Sequence, residues 1–260
     1  MQRSKQQKIA LHLYFINPMY SMQLHFVILG CLLLSLFSCQ DKAYEQDYVI
    51  YEVDPKQEAI EMYYHNEKSV SIRSLGNLKE FLALRNKELI FAMNGGMFES
   101  DNAPKGLYIE KGQQLQALDT LVGGKGNFYL PPNGVFYLTE DNKADIVVTS
   151  EFKPHPTIKY ATQSGPMLLV DGQINKVFTS GSTNLNIRNG VGIKPTGEVV
   201  LAMSKEKVNF YDFAKLFQDM GCINALYLDG FVSRAYLPSK GWTQTDGDFG
   251  VIIGISQSKK

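Results

Sequence analysis

Phe91–Phe98 reads FAMNGGMF, and the fold of the chain turns on this stretch. The segment leading into it, Glu88–Met93 (ELIFAM), is apolar and suits a buried strand. Asn94, Gly95 and Gly96 then stop the strand abruptly. Paired glycines permit left-handed or strained backbone angles and the close approach of a ligand. An Asn amide at a strand end presents both a donor and an acceptor. The plan repeats near the C-terminus, where the apolar segment Ala225–Asp229 (ALYLD) ends in Asp229-Gly230. A third segment, Ala161–Val170 (ATQSGPMLLV), sets Gln163, Ser164 and Gly165 directly before a strand-like PMLLV. Asn-Gly and Asp-Gly are also ordinary hairpin-turn dipeptides, so each tip taken alone has a purely structural alternative. Recurrence of polar, glycine-bearing tips along one chain points to a shared site.

Ahead of these strands lies a leader. Leu24–Ser38 (LHFVILGCLLLSLFS) is an uncharged apolar run with the length of a signal h-region, short of a typical spanning helix. It ends Leu36-Phe37-Ser38-Cys39, a pattern similar to a bacterial lipoprotein cleavage box. The expected division is a signal peptide over residues 1–38, a polar tether over 39–47 and one domain over 48–260, with Cys39 lipidated. An uncleaved N-terminal anchor is the alternative. Either reading puts the domain outside the cytoplasm, at the periplasmic or outer-membrane face of a cell envelope. Removing the leader leaves 23 basic and 26 acidic residues, a formal charge of −3, which offers no footprint for nucleic acid. Of the three cysteines only Cys222 lies inside the domain, so an internal disulfide is excluded there.

Strands dominate the rest of the chain. Tyr48–Val53 and Ala59–Tyr64 read as an opening pair around Asp54-Pro55, and Gly106–Glu110 with Gln114–Leu118 as a hairpin around Lys111-Gly112. Asn127–Leu130, Val135–Thr139, Asp145–Thr149 and Pro166–Val170 read as short strands. Val191–Lys194 pairs with Glu198–Met203, and Leu226–Asp229, Arg234–Leu237 and Val251–Ile255 close the domain. Helical spacing occurs at Leu75–Leu84 behind Ser74, and again after Asn209, with Asp212 placed as in a capping box and Gly221 at the end. Many strands and few helices, without regular βαβ alternation, predict an α+β fold: a strand-rich mixed or antiparallel sheet with a few packed helices in a single domain.

Several chemistries are absent from the sequence. His65 and His155 are the only histidines after the leader, and no H-E-x-x-H, C-x-x-C, G-x-S-x-G, Walker or Rossmann pattern occurs. Carboxylate, Arg, Asn and Gln chemistry is left, which suits sugars and phosphates. Arg188, in Asn186–Val191 (NIRNGV), is the candidate phosphate cation, with a surface ion pair as its plain alternative. Asp229, at a strand tip, is the candidate reacting carboxylate, with a turn residue as its alternative. No cofactor motif is evident, and Asp229 with Asn94 leaves a shared divalent cation open.

The segments FAMNGGMF, KGLYIEKGQ, GNFYLPPNGVFYL, ATQSGPMLLVDGQI, IRNGVGI and NALYLDGFVSRAYLP together resemble the phosphodiester glycosidase family, in matching order from about Tyr48 to Ile255. The bacterial branch of that family looks closest. Another member removes N-acetylglucosamine from a phosphodiester to uncover mannose 6-phosphate in the Golgi. The resemblance carries the family's Asn-(Gly/Ala)-Gly-x-Phe motif onto Asn94, Gly95, Gly96 and Phe98. Its Ser/Ala-Gly-Pro segment falls on Ser164, Gly165 and Pro166, with Gln163 before it. Its Arg ahead of a strand falls on Arg188, and its Leu-Asp-Gly on Leu228, Asp229 and Gly230. Where the uncovering enzyme's branch continues Asp-Gly-Gly-Gly-Ser, this chain reads Asp229-Gly230-Phe231-Val232-Ser233, which changes the space beside the aspartate.

The resemblance implies an exported, lipid-anchored hydrolase acting on a sugar joined through its anomeric carbon to phosphate. Asp229, Arg188 and Asn94 would be catalytic; Gly95, Gly96, Phe98, Gln163, Ser164, Gly165, Gly230 and Ser233 would line the substrate. Glu99 and Asp101 are candidate second carboxylates. Expected partners are a sugar-phosphate or glycan substrate and a membrane reached through the lipid, with no nucleic acid. The rival class is a glycan-binding surface lipoprotein without turnover. If Cys39 carries the lipid, Cys39→Ser should shift the protein from the membrane to the soluble fraction on detergent partition while its domain stays folded; unchanged partition would favour the uncleaved anchor.

Overall fold

The apolar run around Phe91 is a strand, Lys87–Asn94, and its side chains enter two cores. Phe91 and Met93 join the main core, while Ala92 faces a second cluster with Leu75, Leu78 and Ile252. Strict alternation would send Leu89 to the face of Phe91. The register instead steps from Ile255 opposite Phe91 to Ser256 opposite Leu89, which leaves Ile90 bulged and returns Leu89 to the Ala92 side.

The computed structural model describes residues 44–230 and 232–259. The chain divides into units at 1–46 and 47–260; the signal segment, Cys39 and most of the tether lie outside the described residues, as does Phe231. In chain order the strands are β1 (Tyr48–Val53), β2 (Ile60–Tyr63), β3 (Lys87–Asn94), β4 (Tyr108–Glu110), β5 (Gln113–Gln116), β6 (Gly134–Thr139), β7 (Ala144–Val148) and β8 (Ile158–Ser164). There follow β9 (Met167–Val170), β10 (Gln173–Ile174), β11 (Asn189–Ile193), β12 (Val199–Ser204), β13 (Asn224–Tyr227), β14 (Ala235–Leu237), β15 (Trp242–Thr243) and β16 (Ile252–Ser258).

They form three sheets, in the orders β1-β12-β11-β13-β9-β10, β15-β14-β3-β16-β2 and β5-β4-β8-β6-β7. Their ladders are antiparallel. The main core draws on all three: Leu201 and Leu226 from the first, Phe91 and Ile253 from the second, Phe136 and Tyr160 from the third. Each such buried side chain contributes about 1.5–3 kcal/mol relative to leaving it in water.

Two helices cover outer faces. Leu75–Ala83 starts where the Ser74 hydroxyl accepts the Asn77 N–H, and it buries Leu75, Leu78 and Leu82. Phe210–Asp219 starts at Asn209, whose side chain accepts the Asp212 N–H and donates back to the Asp212 carboxylate at 2.8 Å. Its Phe213 and Phe217 lie on β11 so closely that a Cβ at Gly190 would meet the Phe213 ring at 3.2 Å, and one at Gly192 the Phe217 ring at 2.6 Å. Cys222, free and buried beside Gly192, has its thiol pushed up to about 12 by burial, so it packs as a small apolar group.

The expected strand-rich, antiparallel fold with few helices forms, as three sheets and mostly β rather than as one α+β sheet. β1 and β2 are not partners: β1 pairs with β12 and β2 with β16. Gln57 N–H and Glu58 N–H both bond the Asp54 carbonyl, winding the connection and sending the chain into another sheet. Asn127–Leu130 is not a strand; Asn127–Tyr129 is a 3-10 turn entered from Gly126 at φ 88°. Its apolar residues are too few to select a strand period. β8, the middle strand of the third sheet, escapes a sequence reading because Lys159, Thr162, Gln163 and Ser164 obscure its apolar pattern. β13 ends at Tyr227, so Asp229 lies just past the strand.

The Asn209 cap gives a direct check on the second helix. Asn209→Ala should lower stability by about 1 kcal/mol, read as a lower urea midpoint with unchanged slope.

Candidate functional site

Asp229 is presented by a backbone that other side chains hold in place. The Asn94 amide, at the tip of β3, donates to the Asp229 carbonyl at 3.1 Å, and its oxygen accepts the Arg234 N–H at 2.9 Å. Asn189, the first residue of β11, accepts the Asp229 N–H at 2.9 Å and donates to the Asn94 carbonyl at 2.6 Å. The Ser233 hydroxyl donates to the Asp229 carbonyl at 2.8 Å, and the Ser164 hydroxyl, at the tip of β8, to the Leu228 carbonyl at 2.7 Å. Asn94, Asn189, Ser164 and Ser233 are all buried. Asp229 itself is half-buried. Tips of strands from all three sheets therefore meet at the one short turn that carries Asp229.

Arg188 sits directly before β11 and is 0% exposed. Its Nε donates to the Val208 carbonyl at 2.8 Å and its Nη2 to the Asn184 carbonyl at 2.8 Å. The guanidinium lies 3.6 Å from the centre of the Phe210 ring, a cation–π contact. Nη1 closes no hydrogen bond of ordinary geometry with any described residue. Burial lowers the ionisation of this side chain, opposed by its interaction with the Tyr227 hydroxyl. Such a group keeps its charge near neutrality, because an Arg starts far above it. It does not offer the open planar fork expected for a bidentate phosphate clamp, since two of its nitrogens already face carbonyls; Nη1 is the remaining donor.

The other expected site residues serve the scaffold in this conformation. The Gln163 oxygen accepts the N–H groups of Leu107 and Asp119, and its nitrogen donates to the Asp119 carbonyl and the Thr149 hydroxyl. It buttresses a cleft that Asp119, Tyr129, Pro132 and Thr149 help to line. Gly95 and Gly96 are absent from the left-handed region. They are small because a Cβ would lie 2.8 Å from Val251 and 2.4 Å from the Thr162 hydroxyl, respectively. Gly165 is wedged against Asn133 and the Phe128 carbonyl, each 2.7 Å from a built Cβ. Phe98 packs at the edge of the second core and bridges to Pro104. Glu99 pairs with Lys105 at 2.9 Å, and Asp101 accepts the Ala103 N–H at 3.0 Å, so both carboxylates are bonded within their own loop.

Among the described residues no group of three or more His, Cys, Asp or Glu converges as a metal site. Both ends of the Asn94 amide are engaged with backbone, which leaves little of it for a cation shared with Asp229. His65 has its ionisation lowered by burial and bridges to Ser71, while His155 bonds Thr157 at 2.8 Å.

Two residues were missed from sequence. Asn189 follows Arg188 in NIRNGV, and its signal was an amide opening an otherwise apolar strand. Tyr227 sits inside ALYLD and read as core.

With the fold and this turn in view, the comparisons with known proteins are direct. The phosphodiester glycosidase family profile matches residues 87–250, and the chain belongs to that family. Uncharacterized protein YigE of Escherichia coli K12 is 41% identical over 190 residues, covering 72% of this chain and 73% of that one. The fold is also similar to the catalytic domain of zebrafish N-acetylglucosamine-1-phosphodiester alpha-N-acetylglucosaminidase, a structure described as auto-inhibited by its pro-peptide. The TM-score is 0.55 at 15% identity, over 80% of this chain and 82% of that one. A putative exported protein from Burkholderia pseudomallei K96243 is similar at TM-score 0.53 and 9% identity, over 80% of this chain and 73% of that one.

Asn189 tests whether this turn depends on its buried amides. Asn189→Ala strips partners from the Asp229 N–H and the Asn94 carbonyl, and should cost roughly 2 kcal/mol or more, measured by urea unfolding. A loss under half that would mean water replaces the amide.

Proposed function

We propose that this protein hydrolyses a sugar-1-phosphodiester, releasing the sugar and a phosphate monoester. The observation that carries the reading is the half-buried Asp229, mounted on a backbone held by Asn94, Asn189 and Ser233. A carboxylate held this way is oriented before substrate arrives, so less ordering is needed during reaction. Family membership, and the N-acetylglucosamine-1-phosphodiester in the name of the zebrafish relative, support the substrate class.

The bond broken joins the anomeric carbon to a phosphate oxygen. Asp229 either attacks that carbon, giving a glycosyl ester that water then cleaves, or takes a proton from water attacking directly. The departing phosphate monoester has a second pKa of about 6, so it leaves as a stable anion with little help from a general acid. Arg188 supplies positive charge from behind the site rather than a fork around the phosphate. The enzyme would act at the cell envelope, tethered through Cys39, on a sugar-phosphate or glycan substrate; the apolar run Leu24–Ser38 supports this placement.

The test replaces the carboxylate with its near-isosteric amide. Asp229→Asn should unfold at the same temperature as wild type and still bind a sugar phosphate. It should turn over a sugar-1-phosphodiester at least about a hundredfold more slowly, the scale of losing a positioned acid–base group. A pre-steady-state burst of aglycone with substrate in excess, absent in Asp229→Asn, would favour a covalent glycosyl intermediate on Asp229 over direct attack by water. Equal turnover in the two proteins would remove Asp229 from the chemistry, and binding without turnover in wild type would favour the glycan-binding class.

A further inference from the structure

Tyr227 stands where the carboxylate, the buried cation and the motif glycine meet. It is the last residue of β13 and is 2% exposed. Its ring meets Phe210 edge-on at 4.9 Å and 77°. Phe210 in turn covers Arg188 on one side and stacks on Phe178 at 4.9 Å. The guanidinium carbon is 5.5 Å from the centre of the Tyr227 ring. A Cβ built on Gly230 would lie 2.0 Å from the Tyr227 hydroxyl oxygen and 2.8 Å from the Ile187 carbonyl. The glycine after Asp229 is therefore required by the tyrosine three residues before it.

That hydroxyl oxygen is faced by donors. The Gly230 N–H bonds it, and the Arg188 guanidinium interacts with it. Arg188 Nη1 closes no hydrogen bond with any described residue. An oxygen whose lone pairs face two donors must direct its own hydrogen elsewhere. The hydrogen stays in place at neutral pH: burial pushes the phenol up to about 12, Arg188 acting against the rise and Asp229 adding to it. Arg188 and Asp229 are the charged groups that act on this hydroxyl; the helix and loop packed against it present Phe210 and Phe178, which carry no charge.

We infer that Tyr227 is a positioning residue for Asp229, its hydroxyl linking the buried Arg188 guanidinium to the carboxylate through the Gly230 turn. The inference rests on Asp229 being the reacting group. It makes the phenol the polar connection, across the aromatic wall, between the buried cation and the turn that carries the carboxylate.

Tyr227→Phe, made in the full chain, removes one oxygen and keeps the ring contacts. On a sugar-1-phosphodiester, kcat should fall about tenfold or more with KM within about twofold. The acidic limb of kcat/KM should move to higher pH, because a carboxylate that loses this polar link holds its proton more tightly. An unchanged kcat and limb would overturn the inference. Titration of the Asp229 carboxyl by carbon-13 NMR reads the same link without substrate. It should show a raised pKa in Tyr227→Phe; identical titrations in the two proteins would overturn the inference whatever the turnover. A wild type inert toward sugar phosphodiesters whose Asp229 titration still moves would retire the substrate reading and leave this one standing. Arg188→Lys alters the far side of the same link and should raise the Asp229 pKa too. If Tyr227→Phe does not fold, the Arg188→Lys titration decides, and no movement there would overturn the inference.

Discussion

Everything at the candidate site depends on the pairing of Asn94 with Asn189. Each amide bonds the backbone that carries Asp229, and the Asn189 amide also bonds the Asn94 backbone. These are buried polar groups between strands of different sheets, where a missing partner costs far more than a formed bond contributes. The first and second sheets can therefore meet at this end only in the arrangement that satisfies both amides. Ser164 adds the third sheet through the Leu228 carbonyl. Apolar burial drives the three sheets together, but it is non-directional; the amides set which backbone atoms face each other.

The glycines of the motif belong to the same constraint. Gly95 lies against Val251, Gly96 against Thr162 and Gly230 against Tyr227. Each lets a strand tip come closer to its neighbour than any side chain would permit. A glycine-rich tip thus reads here as close packing between protein segments rather than as a cradle for ligand. Asp229, by contrast, is left half-buried between these tips.

Behind the carboxylate, Arg188 occupies an aromatic and carbonyl enclosure formed by Phe210, Tyr227, Val208 and Asn184. Desolvation of a guanidinium is costly unless its donors are met, and here carbonyls meet those of Nε and Nη2. Such a cation is fixed in place and weakly screened by solvent. That suits a standing positive field better than a mobile grip on phosphate.

Much of this was legible in the chain. The strands around Phe91 and Leu201, the hairpin at Lys111-Gly112 and both capped helices follow from apolar period, turn residues and caps, which act within a few residues of each other. The resemblance carried by Asn94, Arg188 and Asp229 selected residues that fold into one neighbourhood. The division into three sheets did not follow, because the choice between β2 and β12 as partner of β1 rests on long-range burial. Nor did β8, whose polar residues look solvent-bound until Gln163 is seen with its hydrogen bonds met inside. Apart from β8 and the turn at Asn127–Tyr129, the sequence alone determined most of the segments that become strands and which residue types stand at their tips, since local sterics and periodicity govern both. Only the tertiary structure decided that Asn189 and Tyr227 join the site and that Arg188 is enclosed. Those facts depend on which atoms meet when distant strand ends are packed together, and no local pattern encodes that.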